Sequence, residues 1–368
     1  MPTTRFILAP MADCTALHNE EEIVKSRGLW GKKFLDIQER ETEIPPPDEN
    51  HVIVKIRACG VCGTDLNFVR DWTDDPMPLG HEIAAEVVEV GKSVTSVKPG
   101  DRVIVEDCTM CGTCENCKSG HPEFCREMFN MEGQPGMGQF MSVRFNSLVK
   151  FEGLDYVSAC LTEPLAVSLT AVIGSEIPLG GSVVVLGPGP LGLMCAKLAR
   201  LRGAGFVAIT GTRADNARDN ARKALAAEFG CDLFVETGKQ DVGEEIKRRF
   251  PNGVDRVIVS SPPQSIYDAL KIVRFGGMIN FFGLHFGGQS VINVDINDLV
   301  FRKITLRPTF AEPAINFPVS NRLLRDGLID ARALITHTFG FEDARKIMSA
   351  AVDGSEPIIK AVMMPNEV

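Results

Sequence analysis

Two groups of residues carry the side chains best suited to chemistry. Five of the chain's eleven cysteines fall between positions 108 and 125, and four of them, Cys111, Cys114, Cys117 and Cys125, are spaced C-x2-C-x2-C-x7-C. Four thiolates gathered by short loops make a closed tetrahedral zinc site of the structural kind, which holds together a lobe with too little core of its own. An iron–sulfur cluster is the competing use, since Cys108 extends the run to four cysteines at x2 intervals. The C-x2-C-x2-C-x3-C-P pattern is missing, because Cys114 and Cys117 are separated by two residues and no Pro follows Cys117 or Cys125. Zinc fits the spacing, and Cys108 is left as a bystander.

The second group is dispersed. Cys62 lies in Cys59-Gly60-Val61-Cys62-Gly63-Thr64-Asp65, His81-Glu82 follow Pro78-Leu79-Gly80, and Glu163 sits in Thr162-Glu163-Pro164-Leu165-Ala166. Taken singly, each has a structural explanation: a buried thiol, a turn, the start of a helix. Together, Cys, His and carboxylate suit a zinc ion with one position left open for water or substrate. Their presence in one chain with a nucleotide-binding pattern favours the metal.

That pattern is Gly187-Pro188-Gly189-Pro190-Leu191-Gly192, directly after the apolar run Ser182–Leu186 and before a helix with Leu191, Met194, Leu198 and Leu201 on one face. The first Gly permits a tight turn, the second lets backbone approach a pyrophosphate, and the third allows helix and strand to pack closely. The helix N-terminus adds free N–H groups. An NAD site has an acid about 20 residues further on. Here the second strand ends Ile209-Thr210-Gly211-Thr212-Arg213-Ala214, with no acid at its tip. Thr212 and Arg213, with Arg218, are therefore expected to hold the 2′-phosphate of NADP. NAD remains possible, with Asp215 serving from one turn later.

The elements that position these groups divide the chain. Residues 30 to 165 read as short strands punctuated by Gly and Pro: His51–Ala58 alternates apolar and polar, Ile83–Val90 is similar, and Val103–Val105 follows a Lys98-Pro99-Gly100-Asp101 turn. From residue 182 strands alternate with helices: 206–210, a helix around 216–227, 233–235, a helix near 244–249, 256–259, a helix near 265–273, and 278–282. That grammar means a doubly wound parallel sheet. The last sixty or so residues are expected to pack back on the first domain.

Bulk properties exclude other classes. At 368 residues with net charge −9, the chain has no basic run to bind nucleic acid or an anionic membrane. No apolar stretch is expected to approach the roughly 18–20 residues of a membrane span, and Met1–Ala16 lacks a signal-peptide pattern. Clustered cysteines without a secretion signal point to a reducing compartment, the cytoplasm.

The set G-V-C-G-T-D, L-G-H-E, V-x-E-V-G with K-P-G-D-R-V, C-G-T-C-x-x-C, E-P-L-A, G-P-G-P-L-G and L-I-T-H-T-F (Leu334–Phe339) resembles the zinc-containing medium-chain dehydrogenases, in order from about residue 45 to the C-terminus. E-P-L-A resembles the polyol, sorbitol-like branch. The resemblance implies an α/β protein: a GroES-like β-rich catalytic domain over 1–165 with a structural zinc lobe at 108–125, a Rossmann domain over 166–305, and a segment 306–368 returning to the catalytic domain. By the same resemblance Cys62, His81 and either Glu163 or Glu82 would hold catalytic zinc, Asp65 would orient a ligand, and Thr64 would contact the reacting oxygen. A small polar alcohol or sugar would be the substrate, and the assembly a homodimer or homotetramer. Two departures stand out. Asn67 occupies the place where many relatives carry a proton-relaying His, and Asn accepts no proton at neutral pH. The stretch Thr15–Gly31 is also longer than usual. The rival outside this class is a non-catalytic NADP-binding protein on the same fold.

Overall fold

The computed structural model describes residues 23–212, 216–285 and 290–366. The early part of the long N-terminal stretch, through residue 22, lies outside them, as does Arg213. The rest of that stretch forms β1 (Val24–Lys32), an antiparallel hairpin with β2 (Asp36–Ile44). Leu29 and Trp30 of β1 are buried in the first core.

The catalytic half is built on β3 (His51–Gly60), β4 (Met77–Pro78), β5 (Glu82–Val90), β6 (Arg102–Val105), β7 (Cys108–Thr109), β8 (Phe129–Asn130), β9 (Phe140–Arg144) and β10 (Leu148–Lys150). β4 adds to β1, and β7 pairs with β8 at the base of the cysteine lobe. The main sheet runs β10-β6-β5-β3, with β9 also on β3. β3 is more enclosed than its alternating sequence suggests: Val52, Ile53, Val54, Ile56 and Ala58 are all fully buried. Val52, Val54 and Ile56 face the catalytic core, while Ala58 joins a second cluster with Ala84 and Ile104. That second cluster continues through Leu165, Val183, Leu193 and Val207 of the other half. Each fully buried Val or Leu contributes about 1.5–3 kcal/mol, so this shared core fixes the two halves against each other.

The nucleotide half contains β11 (Ser182–Leu186), β12 (Phe206–Gly211), β13 (Leu233–Glu236), β14 (Val254–Val259), β15 (Val273–Phe281) and β16 (Thr305–Pro308), paired in parallel in the order β13-β12-β11-β14-β15-β16. Strand order reverses between β11 and β14, where such sheets open a ligand crevice at their carboxyl ends. β16 carries this sheet past the boundary expected at 305. On the helix Pro190–Leu201 the buried side includes Leu193, Met194 and Leu198, whereas Leu201, expected on that face, is 45% exposed because it closes the last turn at the surface.

The C-terminal segment adds β17 (Ile335–Phe339) and β18 (Lys360–Met363) to the catalytic sheet, β18 lying between β17 and β3. One expectation needs correction. The segment Tyr156–Gly174 spans 19 residues at mean hydropathy 1.5, long and apolar enough to cross a membrane, but 72% of it is buried inside the protein. It is apolar because it threads the core shared by both halves.

Candidate metal and nucleotide sites

Cys62 follows the end of β3 and caps the short helix Gly63–Asn67. Its sulfur accepts from the Thr64 N–H at 3.5 Å, and the Asp65 carboxylate accepts from the Cys62 N–H at 2.9 Å. The other Asp65 oxygen accepts from the Gly80 N–H at 2.9 Å, so one buried carboxylate fixes both the Cys62 turn and the loop that delivers His81. Gly80 sits at φ 86°, where a side chain would strain the backbone and strike Cys59 Sγ and the Met137 backbone.

Cys62, His81 and Glu82 bring one donor atom each to within 4.8 Å of one another. Glu163 enters from the buried first turn of the helix Thr162–Gly174, where the helix dipole favours a carboxylate. Burial alone would depress His81, but the neighbouring Cys62, Asp65 and Glu163 hold its imidazole well above the usual value. Burial pushes Glu163 well above the carboxylate range, reinforced by Asp107, Glu82 and Cys62 and opposed by His81. A thiolate, an imidazole and crowded carboxylates form a donor set that a divalent zinc ion fits.

The Glu82 carboxylate has a second engagement. Lys360 Nζ of β18 lies 2.6 and 2.7 Å from its two oxygens and donates to the Val61 carbonyl at 2.8 Å. A Cβ at Gly60 would lie 2.0 Å from Glu82 Oε2, so only glycine leaves room for this carboxylate.

In the lobe, sulfur–sulfur separations are 3.6 Å for Cys114–Cys117 and Cys125–Cys111, 3.9 Å for Cys114–Cys125 and 4.0 Å for Cys111–Cys117. A tetrahedron with Zn–S near 2.3 Å has edges of roughly 3.8 Å, so the four sulfurs are spaced to close around zinc. The Thr113 side chain and the N–H groups of Thr113 and Cys114 draw the Cys111 thiol down to about 6. Cys108 stands apart from the four, grouped instead with Asp107 and Glu312.

At the nucleotide loop, Gly187 has φ 112°, and a Cβ at Gly192 would lie 1.9 Å from the Gly187 carbonyl oxygen. Gly189 caps the helix Pro190–Leu201 and its Cβ direction is open, a cradle that a pyrophosphate can enter. Leu191 shows how closely the two sites are linked: its carbonyl accepts from Ser168 Oγ at 3.2 Å, on the helix that carries Glu163. Thr212 is exposed at the tip of β12. Arg218 has a structural partner beside the role expected for it. Its Nη1 donates to the Ala351 carbonyl at 2.9 Å, in the last turn of the helix Ala344–Asp353. The dipole end of that helix favours a cation, so this bond ties the two halves together.

Three residues beside the metal donors escape a reading by motif: Asp107, Glu312 and Lys360. Lys360 has a signal in hindsight, a lone cation within the apolar run Pro357–Met363, since a buried Lys must be paired.

A GroES-like sheet carrying a Cys–His–carboxylate donor set, joined to a doubly wound nucleotide sheet, defines the zinc-dependent NAD(P)-linked dehydrogenases. Residues 48–153 match the alcohol dehydrogenase GroES-like domain, and residues 190–319 match the zinc-binding dehydrogenase family. A sorbitol dehydrogenase of Bacillus subtilis (strain 168) is 30% identical, over 88% of this chain and 93% of its own. An L-arabinitol 4-dehydrogenase of Aspergillus oryzae is 32% identical, over 86% of each chain. A putative zinc-binding dehydrogenase from Sinorhizobium meliloti 1021, solved bound to NADP, superposes with TM-score 0.80 at 27% identity, covering 93% of this chain and 100% of its own. The chain belongs to the zinc-containing medium-chain dehydrogenase family, in its polyol dehydrogenase-like branch.

Proposed function

We propose that this dehydrogenase oxidises a secondary hydroxyl of a small polyol, and reduces the corresponding ketone, with NADP as its preferred cofactor. The observation that carries the reading is the meeting of Cys62, His81 and Glu82, joined to the nucleotide loop through the helix that carries Glu163 and bonds to Leu191. Zinc, when bound, supplies Lewis-acid polarisation of the substrate oxygen. Cys62, His81 and Glu82 would hold it, with Glu163 as a further carboxylate close enough to act electrostatically on the set. Asp65 orients Cys62. Thr64, on the first turn after Cys62, is placed to take the hydroxyl proton on its Oγ and pass it on, because Asn67 cannot. Gly187, Gly189, Pro190, Leu191 and Gly192 seat the pyrophosphate, and Thr212 with Arg213 binds the 2′-phosphate. The hydride leaves the substrate carbon for the nicotinamide, and the hydroxyl proton goes to solvent. Support for NADP comes from the missing acid at the tip of β12 and from the NADP-bound relative.

The catalytic domain is assigned to 1–165 plus the C-terminal segment, and the nucleotide domain lies between them. A homodimer or homotetramer is supported by the edge position of β16 among the described residues and by the neighbouring helix Ile296–Arg302, whose Ile296, Val300 and Phe301 are 65, 64 and 77% exposed. The cysteine cluster, suited to metal rather than disulfides, supports cytoplasmic residence.

The test is turnover across sugar alcohols and small diols with NADP and NAD. Cys62→Ala and His81→Ala should abolish oxidation while nucleotide binding survives, and Thr64→Val should lower kcat by about 10²-fold. NADP binding without turnover of any alcohol would instead indicate a non-catalytic binding protein.

A further inference from the structure

Beside the metal donors lies a cluster that hydride transfer does not use. Asp107 sits between β6 and β7, and Glu312 lies in the loop after β16; the Ala314 N–H donates to the Cys108 carbonyl at 3.0 Å and latches the two segments together. An oxygen of Asp107, an oxygen of Glu312 and the Cys108 sulfur lie within 4.8 Å of one another. The two carboxyls hydrogen-bond to each other, one giving its proton. Asp107 Oδ1 and Glu312 Oε2 are nonetheless buried with no partner, a cost that a ligand's donors would remove. Asp107 acts electrostatically on both His81 and Glu163, so the pair neighbours the metal donors without belonging to their set.

The chemistry of the pair selects its ligand. Burial, with the Asp107 charge beside it, pushes Glu312 up to about 9, so the pair keeps a proton at neutral pH. That proton is spent between the two carboxyls, so the pair turns its free acceptors, Asp107 Oδ1 and Glu312 Oε2, toward a ligand, the complement of hydroxyl groups that donate. A phosphate or carboxylate would meet like charge from the pair, which keeps one negative charge. Cys108 keeps its proton as well, its thiol pushed up to about 12 by burial and by Asp107.

We propose that the Asp107–Glu312 carboxyl pair is the polyol subsite, which binds hydroxyls flanking the oxidised carbon and disfavours substrates bearing phosphate or carboxylate. This rests on the dehydrogenase reading above.

The test uses zinc-loaded enzyme with NADP and compares 2-butanol with 2,3-butanediol, L-arabinitol, sorbitol, and galactitol against galactitol 1-phosphate. Glu312→Gln and Asp107→Asn should each raise KM for the best diol or polyol tenfold or more. KM for 2-butanol should change less than twofold, with zinc content and NADP binding intact. The wild type should favour galactitol over its phosphate at least a hundredfold in kcat/KM, and either variant should narrow that ratio. Equal losses on 2-butanol and diol would overturn the subsite, as would preference for the phosphate or a third divalent ion per chain that Glu312→Gln removes. Oxidation of 2-butanol with no gain for any polyol would also overturn it while leaving the dehydrogenase reading intact. Glu312-dependent polyol binding by calorimetry, without oxidation of any alcohol, would support the subsite and overturn that reading.

Discussion

The Lys360 ammonium rests on both carboxylate oxygens of Glu82, and the two side chains are 3 and 1% exposed. They stand 278 positions apart in sequence. Burial alone would depress Lys360, but Glu82 and Cys62 hold it above its ordinary value. Removing one partner leaves the other buried and uncompensated. Lys360→Met is therefore expected to cost about 3–5 kcal/mol, and adding Glu82→Gln should recover much of that loss. Denaturant unfolding of the single and double variants checks this, and a double variant no more stable than Lys360→Met would contradict it.

The two zinc sites should fail in different ways. Protein purified without chelator should carry about two zinc ions per chain. Cys125→Ala should lose one zinc together with thermal stability, because that metal closes a lobe held otherwise by the β7–β8 pair. Cys62→Ala should lose the other zinc and activity while the melting curve moves little. Iron with inorganic sulfide in the purified protein would refute the assignment.

Two arginines expected to share one task should separate. Arg213→Ala should weaken NADP binding by about 1–3 kcal/mol while NAD binding barely changes. Arg218→Ala should leave the NADP-to-NAD ratio alone and lower the melting temperature, since its bond is to Ala351. Calorimetric titration of both variants distinguishes the roles; equal effects on NADP would restore Arg218 to the cofactor site.

Glu106 supplies a pH signature. Burial pushes its carboxyl up to about 7 against a Thr109 hydrogen bond that lowers it. The folded state thus holds this proton more tightly than the unfolded chain. Its contribution is fully present below the unfolded value near 4.5 and is lost as pH rises through 7. A shift of that size corresponds to roughly 3 kcal/mol. Relative to wild type, Glu106→Gln should gain stability by that order between pH 4.5 and 7.5, as read by unfolding at fixed temperatures across that range.

What could be read in the chain was local. The parallel strands 182–186 and 206–211 are mainly apolar runs buried on both faces, as is 257–259 at the end of β14, and the glycines at 187 and 192 announce contacts that no side chain permits. The donor residues Cys62 and His81 each sit in a short signature fixed by one turn. Asp107, Glu312 and Lys360 have no such signature, because what makes them significant is a partner far along the chain. The Arg218 bond was hidden for the same reason: proximity in sequence to a strand tip says nothing of Ala351, which the fold brings to it.

β18 lies between β3 and β17, and it carries the cation that balances Glu82. The sheet begun near residue 51 therefore cannot be completed until β18 has been synthesised, some three hundred residues later. During translation the nucleotide half, contiguous and parallel, is free to fold while the catalytic half waits with a gap beside β3. Activity thus arrives only once β18 has joined β3, so a chain terminated before Lys360 would keep the nucleotide fold yet be unable to finish its metal centre.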